Sequence, residues 1–381
     1  MKKILLISHD DTRTGAPILL INIAEAIKSE SPQTEVRFLI KNYSGQVMDG
    51  FKKAGTVFAA KNKNKLSRKL NRSEFSKKNI RKALEDIDFV ISNTITNGDL
   101  LPVIRIYYKG PIVSYIHELQ MGSLFFTSQQ NLLALIKNTD HYLAPSKAVK
   151  NFLIDDLAVP EEKIDILPYY IHLEKSSQHA QINADEHKPF VVGAAGTIDW
   201  RKGPDIFIGV AIQVFKKMPE ADIKFFWIGA NEGVELTRLL YDVQKAGLEN
   251  KVNFAFVTDD LKDFYASIDL FALTSREDPY PLVVLLAANV SVPSLCFDAS
   301  GGISEFINDD AGMTINYLDI TAMAEAVLLL YRDRQLLQKK GSWAKEKVER
   351  MHNNSSEMWR QLENIFQKVS DKKDHQPNKN N

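Results

Sequence analysis

The sequence contains a single cysteine among its 381 residues, so it cannot form a disulfide within the chain. Cys296 lies in the apolar run SLCF, which predicts a buried structural thiol. Net charge is also absent: 48 Lys and Arg balance 48 Asp and Glu, which removes any global electrostatic argument for nucleic acid. No apolar run has the length of a membrane span, and the start MKKILLIS turns polar too early for a signal peptide. These absences predict a cytoplasmic protein.

What the sequence does contain is a repeated alternation of short apolar runs with helix-length segments. Runs that are apolar on both faces are typical of parallel strands covered by helices on both sides. The predicted strands are 3–8, 35–40, 88–92, 112–117, 141–145, 164–168, 190–196, 223–229, 252–257, 270–275, 294–297 and 313–316. This alternation predicts α/β architecture with doubly wound layers.

The length and one polar stretch predict two domains. EKSSQHAQINADEHK lacks periodicity and lies between two strand signals, so it predicts a linker within residues 172–188. The domains are then expected at 1–175 and 188–345. An apolar stripe predicts a C-terminal helix within 346–369 that packs back towards the N-terminal domain. The polar residues 370–381 are expected to be a disordered tail.

A basic run is the main local anomaly. Ten Lys or Arg residues and one acid, Glu74, lie between Lys61 and Lys82. Leu66 and Leu70 are spaced i,i+4, as on an amphipathic helix. One interpretation is a solvated surface segment, and another is an anchor for anionic lipid headgroups at a membrane surface. Nucleic acid is disfavoured because few aromatic residues are interleaved with the charges.

Three loops after predicted strands carry candidate binding residues. The first, SHDDTRTGAP, has no G-x-G-x-x-G motif, but Gly15 precedes a helix whose N-terminus suits an anion. In the second, Arg201 and Lys202 precede another helix and form a candidate clamp for a diphosphate. In the third, Glu277 and Asp278 precede a helix expected near Leu282, with N-capping as the structural alternative.

Five segments in order and spacing resemble glycosyltransferase family 4. They are TGAPILLINIAEAI, YIHEL with LAPSKAVKNFL, GTIDWRKGPDIF, LFALTSREDPYPLVVLLAANVSVP and SGGISEFI. The resemblance covers nearly the whole chain, to about residue 369. It implies a GT-B fold, in which two Rossmann-like doubly wound domains face a cleft. It also implies transfer of a sugar from a nucleotide donor with retention of configuration, without a cofactor and without a metal ion.

The resemblance implies roles for particular residues. Lys202 matches the family's lysine on the donor diphosphate, and Gly15, with Ala16 beside it, matches the glycine turn that approaches the phosphates. His117 matches a histidine near the transferred sugar, although a lone His at a strand end is more often structural. Asp278 matches the first acid of an acid-x7-Glu motif near that sugar. Backbone amides after Tyr280 are expected to hold sugar hydroxyls or phosphate. The expected binding residues of this segment are Tyr280, Pro281, Leu282, Val283 and Leu286, of which Pro281 has no N–H to donate.

Two positions depart from the family. Leu286 replaces the second Glu of that motif, which accepts hydrogen bonds from the ribose, and leucine cannot accept any. The loss of such a contact is worth about 1.5–3 kcal/mol of donor binding. Thr197 replaces an arginine beside the phosphates, and Arg201 is the expected substitute.

The expected substrates are a UDP- or GDP-linked sugar and a glycan or lipid-linked acceptor in polysaccharide, lipopolysaccharide or glycoprotein-glycan assembly. If the acceptor is lipid-linked, the basic run Lys61–Lys82 gives a reason for peripheral contact with the inner face of the membrane. The alternative, kept open by Leu286, is a catalytically impaired relative that acts as a binding or scaffolding partner. A nicotinamide-dependent oxidoreductase is a distant third, because the glycine fingerprint and the ribose-binding acid are both missing.

Overall fold

The structure is a computed structural model that describes residues 2–61, 74–173, 188–256 and 261–374. The chain divides into two compact units. Unit 1 comprises Met1–His172 together with Asn354–Asn381, and unit 2 comprises Leu173–Asn353. The predicted linker lies almost entirely at 174–187, outside the described residues.

Unit 1 is built on a seven-stranded parallel sheet of order β3-β2-β1-β4-β5-β6-β7 within the described residues. Its strands are β1 Lys3–Ser8, β2 Glu35–Ile40, β3 Thr56–Ala59, β4 Phe89–Asn93, β5 Ile112–Tyr115, β6 His141–Ala144 and β7 Ile164–Ile166. Its helices are α1 Gly15–Glu30, α2 Met48–Ala54, α3 Lys77–Ala83, α4 Leu101–Tyr107, α5 Gln120–Phe126, α6 Gln129–Asn138 and α7 Lys147–Asp155, with 3₁₀ turns at Ile95–Asn97 and Glu161–Lys163. Residues 4–7 of the central strand β1 are fully buried, which explains their unbroken apolar character.

Unit 2 contains a second parallel sheet, of order β10-β9-β8-β11-β12-β13 in the part described. Its strands are β8 Phe190–Ala195, β9 Ile223–Ala230, β10 Val252–Phe256, β11 Leu270–Leu273, β12 Ser294–Phe297 and β13 Gly312–Ile315. Its helices are α8 Pro204–Lys217, α9 Val234–Lys245, α10 Lys262–Ser267, α11 Leu282–Asn289, α12 Ile303–Ile307, α13 Ile320–Arg332 and α14 Arg334–His352. Cys296 is fully buried in β12, where burial raises the pKa of its thiol to about 12.

The last helix, α15 (Ser355–Asp374), belongs to unit 1 and packs on α1. The predicted apolar stripe is its buried face and consists of Met358, Leu362, Ile365, Phe366 and Val369. Instead of one helix over 346–369, there are two: α14 ends at His352, and α15 begins at Ser355. The helix also continues to Asp374, so residues 370–374 are helical where a disordered tail was expected, while 375–381 lie outside the described residues.

The prediction of two Rossmann-like α/β units is confirmed. The predicted strands all occur within the described residues, but several end one or two residues earlier; β5, for example, ends at Tyr115 rather than at residue 117. The prediction missed β3, a four-residue edge strand whose residues are exposed or only half-buried. Such a strand lacks the continuous apolar run that marks a buried one.

The basic run Lys61–Lys82 is described only at its two ends. Lys61 forms an isolated antiparallel bridge with Phe75, and Lys77–Ala83 form α3, whose N-cap is Ser76. Leu66 and Leu70 lie outside the described residues. Among the described residues, no helix is both long and apolar enough to cross a lipid bilayer.

Candidate active site

Sheet topology decides which loops lie side by side. In each sheet the strand order reverses beside the first strand of the unit, between β1 and β4 in unit 1 and between β8 and β11 in unit 2. Ligands of open α/β sheets bind at this reversal, beyond the carboxyl ends of the strands. The loops that follow β1, β8 and β11 lead into most of the predicted site residues, and His117 follows β5.

In unit 2, Lys202 and Asp278 meet at the reversal. Nζ of Lys202 donates a hydrogen bond to Oδ2 of Asp278, with a separation of 2.5 Å, and Ser275 Oγ lies 3.5 Å from the same oxygen. Asp278 is only 5% exposed. A buried carboxylate needs a compensating charge, which Lys202 supplies. The structure therefore brings together Lys202 and Asp278, two of the residues to which the family resemblance assigns a role.

Two glycines allow the backbone to pack closely around this pair. Gly203, at φ +69°, lies against Thr274, so that a Cβ here would be 2.1 Å from the Thr274 carbonyl oxygen. Gly301, at φ +149°, lies against Asp278, where a Cβ would be 1.8 Å from the backbone oxygen. Only glycine fits such contacts with this backbone conformation.

The loop before α8 is organised by Asp199. Its Oδ1 accepts hydrogen bonds from the backbone N–H groups of Arg201 and Lys202, at 2.9 and 3.3 Å, and its Oδ2 accepts one from the Thr197 hydroxyl at 2.9 Å. The Arg201 guanidinium lies 3.7 Å from the same carboxylate and is mostly buried, whereas Thr197 is exposed. The predicted clamp is thus anchored by an acid that was not among the candidates.

Sequence reasoning also missed Arg276. Its guanidinium makes a two-pronged contact with Asp205, at 2.9 and 2.6 Å, and stacks 5.1 Å from the centre of the exposed Trp200 ring. Its backbone N–H donates to the carbonyl of Arg201 at 2.6 Å. Arg276 therefore ties the loop after β11 to the loop after β8. The bare tripeptide SRE carries no signal for this role, because the partners are distant in sequence.

Helix α11 begins directly after the β11 loop, with Pro281 at its N-cap. The first N–H groups of a helix have no intrahelical acceptor, so those of Leu282 and Val283 can serve an anion. Leu286 lies one turn further along and is half-buried. The Tyr280 side chain is buried, and its hydroxyl lies 3.1 Å from Nε2 of His352. The hydroxyl of Tyr280 is therefore engaged within unit 2.

Other acids near this loop differ in exposure. Glu277 is buried at 8% exposure, and its backbone N–H lies 3.4 Å from the Arg201 carbonyl. Glu305 is exposed on the short helix α12. Among the residues the structure describes, no group of three or more His, Cys, Asp or Glu side chains is placed to hold a metal ion. The expectation that no metal takes part stays a prediction.

In unit 1, Gly15 and Ala16 form the first turn of α1, which has no acidic residue there and no side-chain cap on its N-terminal amides. Gly15 is exposed and Ala16 is half-buried. An uncapped helix N-terminus with no acidic residue in its first turn favours an anion. The Ala16 carbonyl accepts a 2.9 Å hydrogen bond from Nδ2 of Asn93, the last residue of β4.

His117 lies two residues beyond β5, and both of its ring nitrogens have partners. Nε2 is 2.5 Å from Oδ1 of Asn93, and Nδ1 is 2.9 Å from the hydroxyl of Tyr169. Burial lowers the pKa of His117 to about 3, and the neighbouring His9 adds to that effect. The imidazole is therefore neutral near pH 7. Glu118 accepts hydrogen bonds from the backbone N–H groups of His117 and Ile95, which holds the turn in place.

Comparisons with known proteins agree with this architecture. Residues 175–354 match the family model described as glycosyl transferases group 1. The structure of Anabaena Alr3699/HepE in complex with UDP and glucose superposes with a TM-score of 0.78 at 18% identity, covering 96% of this chain and all of that one. The sucrose-phosphate synthase of Thermosynechococcus elongatus gives a TM-score of 0.75 at 17% identity, covering 97% of this chain and all of that one. The fold is that of the GT-B glycosyltransferases.

At the level of sequence, the lipopolysaccharide core biosynthesis mannosyltransferase LpsB of Rhizobium meliloti (strain 1021) is 27% identical over 209 residues, which are 53% of this chain and 58% of that protein. The chain spans about half the length of the curated relatives it matches.

Proposed function

We propose that this protein is a glycosyltransferase that moves a sugar from a nucleoside-diphosphate sugar to a glycan, lipid-linked or polysaccharide acceptor. The observation that carries the proposal is the Lys202–Asp278 pair, which lies at the reversal of the unit 2 sheet inside the segment that matches the glycosyl transferases group 1 model. The five motifs in order support placement in glycosyltransferase family 4.

The proposed donor site is on unit 2. Breaking a glycosyl–phosphate bond leaves negative charge on the departing diphosphate, and fixed positive groups lower the barrier by stabilising that charge. Lys202 and Arg201 supply cations, and the amides of Leu282 and Val283 supply oriented N–H donors. Because an ammonium has three N–H donors, Lys202 can bind phosphate and keep its bond to Asp278. We propose that these groups stabilise the negative charge of the departing diphosphate without a metal ion.

Asp278 is proposed to face the transferred sugar. The sugar carbon gains positive, oxocarbenium-like character as the bond breaks, and a nearby carboxylate favours that charge. We propose retention of configuration on the family resemblance. The proposed contribution of unit 1 is His117 as a neutral group near the sugar, together with Gly15 and Ala16 for phosphate.

UDP is our first choice of nucleotide. HepE of Anabaena, whose fold this chain shares, was solved in complex with UDP and with UDP-glucose. For the acceptor we propose a polysaccharide or lipopolysaccharide intermediate, since LpsB acts in lipopolysaccharide core biosynthesis and AmsD of Erwinia amylovora in amylovoran biosynthesis. If the acceptor is lipid-linked, the basic run Lys61–Lys82 gives a reason for contact with an anionic membrane surface.

The two departures from the family shape the proposal. Leu286 leaves the ribose without its usual carboxylate, so we expect weaker donor binding rather than its loss. The family's arginine beside the phosphates is replaced by Thr197 in this chain, and we propose that Arg201 supplies the missing cation. The position of Arg201 on the Asp199 loop supports this. An unchanged turnover in Arg201→Ala would remove Arg201 from the site.

The deciding experiment is a thermal-shift panel with UDP, GDP, ADP, CMP and NAD at millimolar concentration. A nucleotide at 100 times its dissociation constant stabilises the native state by about 2.7 kcal/mol. We expect one nucleoside diphosphate to raise the melting temperature. If no nucleotide raises the melting temperature of well-folded protein, the better explanation is that this protein is a non-catalytic binding or scaffolding partner. The loss of the ribose-binding Glu at Leu286 favours that alternative.

A further inference from the structure

A chain of hydrogen bonds crosses the carboxyl edge of the unit 1 sheet. It runs from the Ala16 carbonyl to Nδ2 of Asn93, at 2.9 Å, and from Oδ1 of Asn93 to Nε2 of His117, at 2.5 Å. Nδ1 of His117 then lies 2.9 Å from the hydroxyl of Tyr169. The chain connects the first turn of α1 with the segments that follow β4, β5 and β7.

The chemistry of these groups decides where the protons lie. Because the amide nitrogen of Asn93 donates to the Ala16 carbonyl, the amide oxygen faces His117. An amide oxygen only accepts, so Nε2 of His117 carries the proton. In a neutral imidazole Nδ1 is then the acceptor, and the Tyr169 hydroxyl donates to it. Burial disfavours the imidazolium, in which both nitrogens would donate.

Asn93 is itself held firmly. Its side chain is fully buried, and its carbonyl accepts a 2.8 Å hydrogen bond from the amide of Asn97. The next residue, Thr94, has φ +76°, a strained conformation for a β-branched residue, and its hydroxyl accepts from Thr96 N–H. A strained conformation of this kind persists only where the surrounding structure holds it. Here the conformation of Thr94 is the point at which the chain leaves β4.

We propose that Asn93 is a positioning residue of the transfer reaction, which couples the Gly15–Ala16 turn to His117 and holds the imidazole as its neutral Nε2–H tautomer. In this arrangement both ring nitrogens of His117 are committed to the protein, so the ring acts as an oriented neutral group and not as a proton carrier. This inference rests on the proposed function and adds a residue outside the family motifs quoted above.

The first test is the ¹⁵N spectrum of histidine-labelled protein at pH 7, with the His117 signal assigned by its loss in His117→Gln. We expect a single tautomer with the proton on Nε2. In Asn93→Ala we expect a mixture of tautomers, because Nε2 loses its acceptor. Asn138→Ala is the matched control, since that amide also donates to a backbone carbonyl of unit 1, Ala134 O at 2.7 Å, but it does not contact His117.

A second variant covers the case in which Asn93→Ala does not fold. Tyr169→Phe removes the donor at Nδ1 and leaves Asn93 in place. A tautomer that stays on Nε2 supports Asn93 as the group that holds it. A mixture in Tyr169→Phe, or a proton on Nδ1 in the parent protein, overturns the proposal.

The kinetic arm uses hydrolysis of UDP-glucose as the probe reaction. Misplacement of a group that positions the reacting centre lowers kcat, so we expect Asn93→Ala to lose about tenfold or more in kcat with KM changed less than about threefold. Asn138→Ala should match the parent. An equal kcat in Asn93→Ala contradicts the positioning role. If the parent protein neither binds nor hydrolyses UDP-glucose, UDP-glucose is not the donor and the proposed function is in question, while the tautomer measurement still decides what Asn93 does to His117.

Discussion

The Lys202 ammonium and the Asp278 carboxylate form a hydrogen-bonded ion pair, with Nζ 2.5 Å from Oδ2, although 76 positions separate them in the chain. The carboxylate is almost completely buried, and the lysine lies at the edge of the site with 21% of its side chain exposed. In the proposed donor site, the pair would hold the ammonium in position before a phosphate binds. Preorganised charge of this kind is what stabilises a developing anion most effectively.

The first prediction concerns Lys202→Ala. Loss of a charge-assisted hydrogen bond is worth about 1.5–3 kcal/mol, so binding of UDP should weaken by roughly 10- to 150-fold. The change also leaves Asp278 buried without its cation, which should lower the melting temperature. Isothermal titration calorimetry measures the affinity. Lys217→Ala is the control, because Lys217, at the end of α8, pairs at 2.7 Å with the exposed Glu325 of α13. This variant should change neither property appreciably. UDP affinity equal to that of the parent would remove Lys202 from the donor site.

The second prediction concerns Leu286→Glu. A carboxylate at this half-buried position of α11 restores the protein group that accepts hydrogen bonds from the ribose hydroxyls in the family. We expect UDP to bind about tenfold more tightly, in line with about 1.5 kcal/mol for one such bond. Leu286→Met, which conserves volume without adding an acceptor, should leave the affinity unchanged. If the Met variant binds UDP more tightly than the parent, or if the Glu variant shows no gain in UDP affinity, this position does not face the ribose.

The third prediction concerns Gly301→Ala. The added Cβ would lie 1.8 Å from the Asp278 carbonyl oxygen, and φ +149° is a conformation that alanine avoids. We expect the free energy of unfolding to fall by roughly 2–4 kcal/mol and UDP binding to be lost, because the loop that holds Asp278 must move. Urea unfolding measures the first and calorimetry the second.

Gly209→Ala supplies the comparison for Gly301. It lies within α8, and its Cβ would make ordinary contacts of 3.5 Å with Ile320. Alanine is favoured over glycine in a helix by up to about 1 kcal/mol, so this variant should be as stable as the parent or more so. If the two variants behave alike, the close approach at Gly301 does not position the site.

The fourth prediction concerns pH and the Arg276–Asp205 contact. Partial burial raises the pKa of Asp205, but the hydrogen bond and charge of Arg276 outweigh it and bring the pKa below the usual value of an aspartate. A carboxyl group with a lowered folded pKa adds stability above its unfolded pKa and loses it as pH falls through the folded value. Asp205→Asn should therefore be less stable than the parent at pH 7, by at most about 1 kcal/mol for this half-exposed pair. Urea unfolding from pH 7 to pH 3 should show the difference shrinking below about pH 4. A difference that stays constant over this range would contradict the assignment.

The amino-acid sequence by itself determined the alternation of strands with helices, and every strand of the described residues except β3. Runs such as Lys3–Ser8 and Ser294–Phe297 are apolar because both faces of a central parallel strand are covered, and this burial makes them recognisable without a structure. The edge strand Thr56–Ala59 was not recognisable, because exposure on its outer side removes the need for a continuous apolar run. Strand order within each sheet also lay beyond the sequence, since it depends on how the connections cross.

For the candidate site, the sequence determined which residues are chemically able to act, and the tertiary structure decided what each one touches. Motif order indicated Lys202, Asp278 and His117 as separate candidates. Only folding pairs Lys202 with Asp278 and places His117 between Asn93 and Tyr169, because these partners lie 24 to 76 positions apart in the chain. Hydrogen bonds act over about 3 Å and depend on direction, so the tautomer of His117 is a property of the fold and not of the sequence motif.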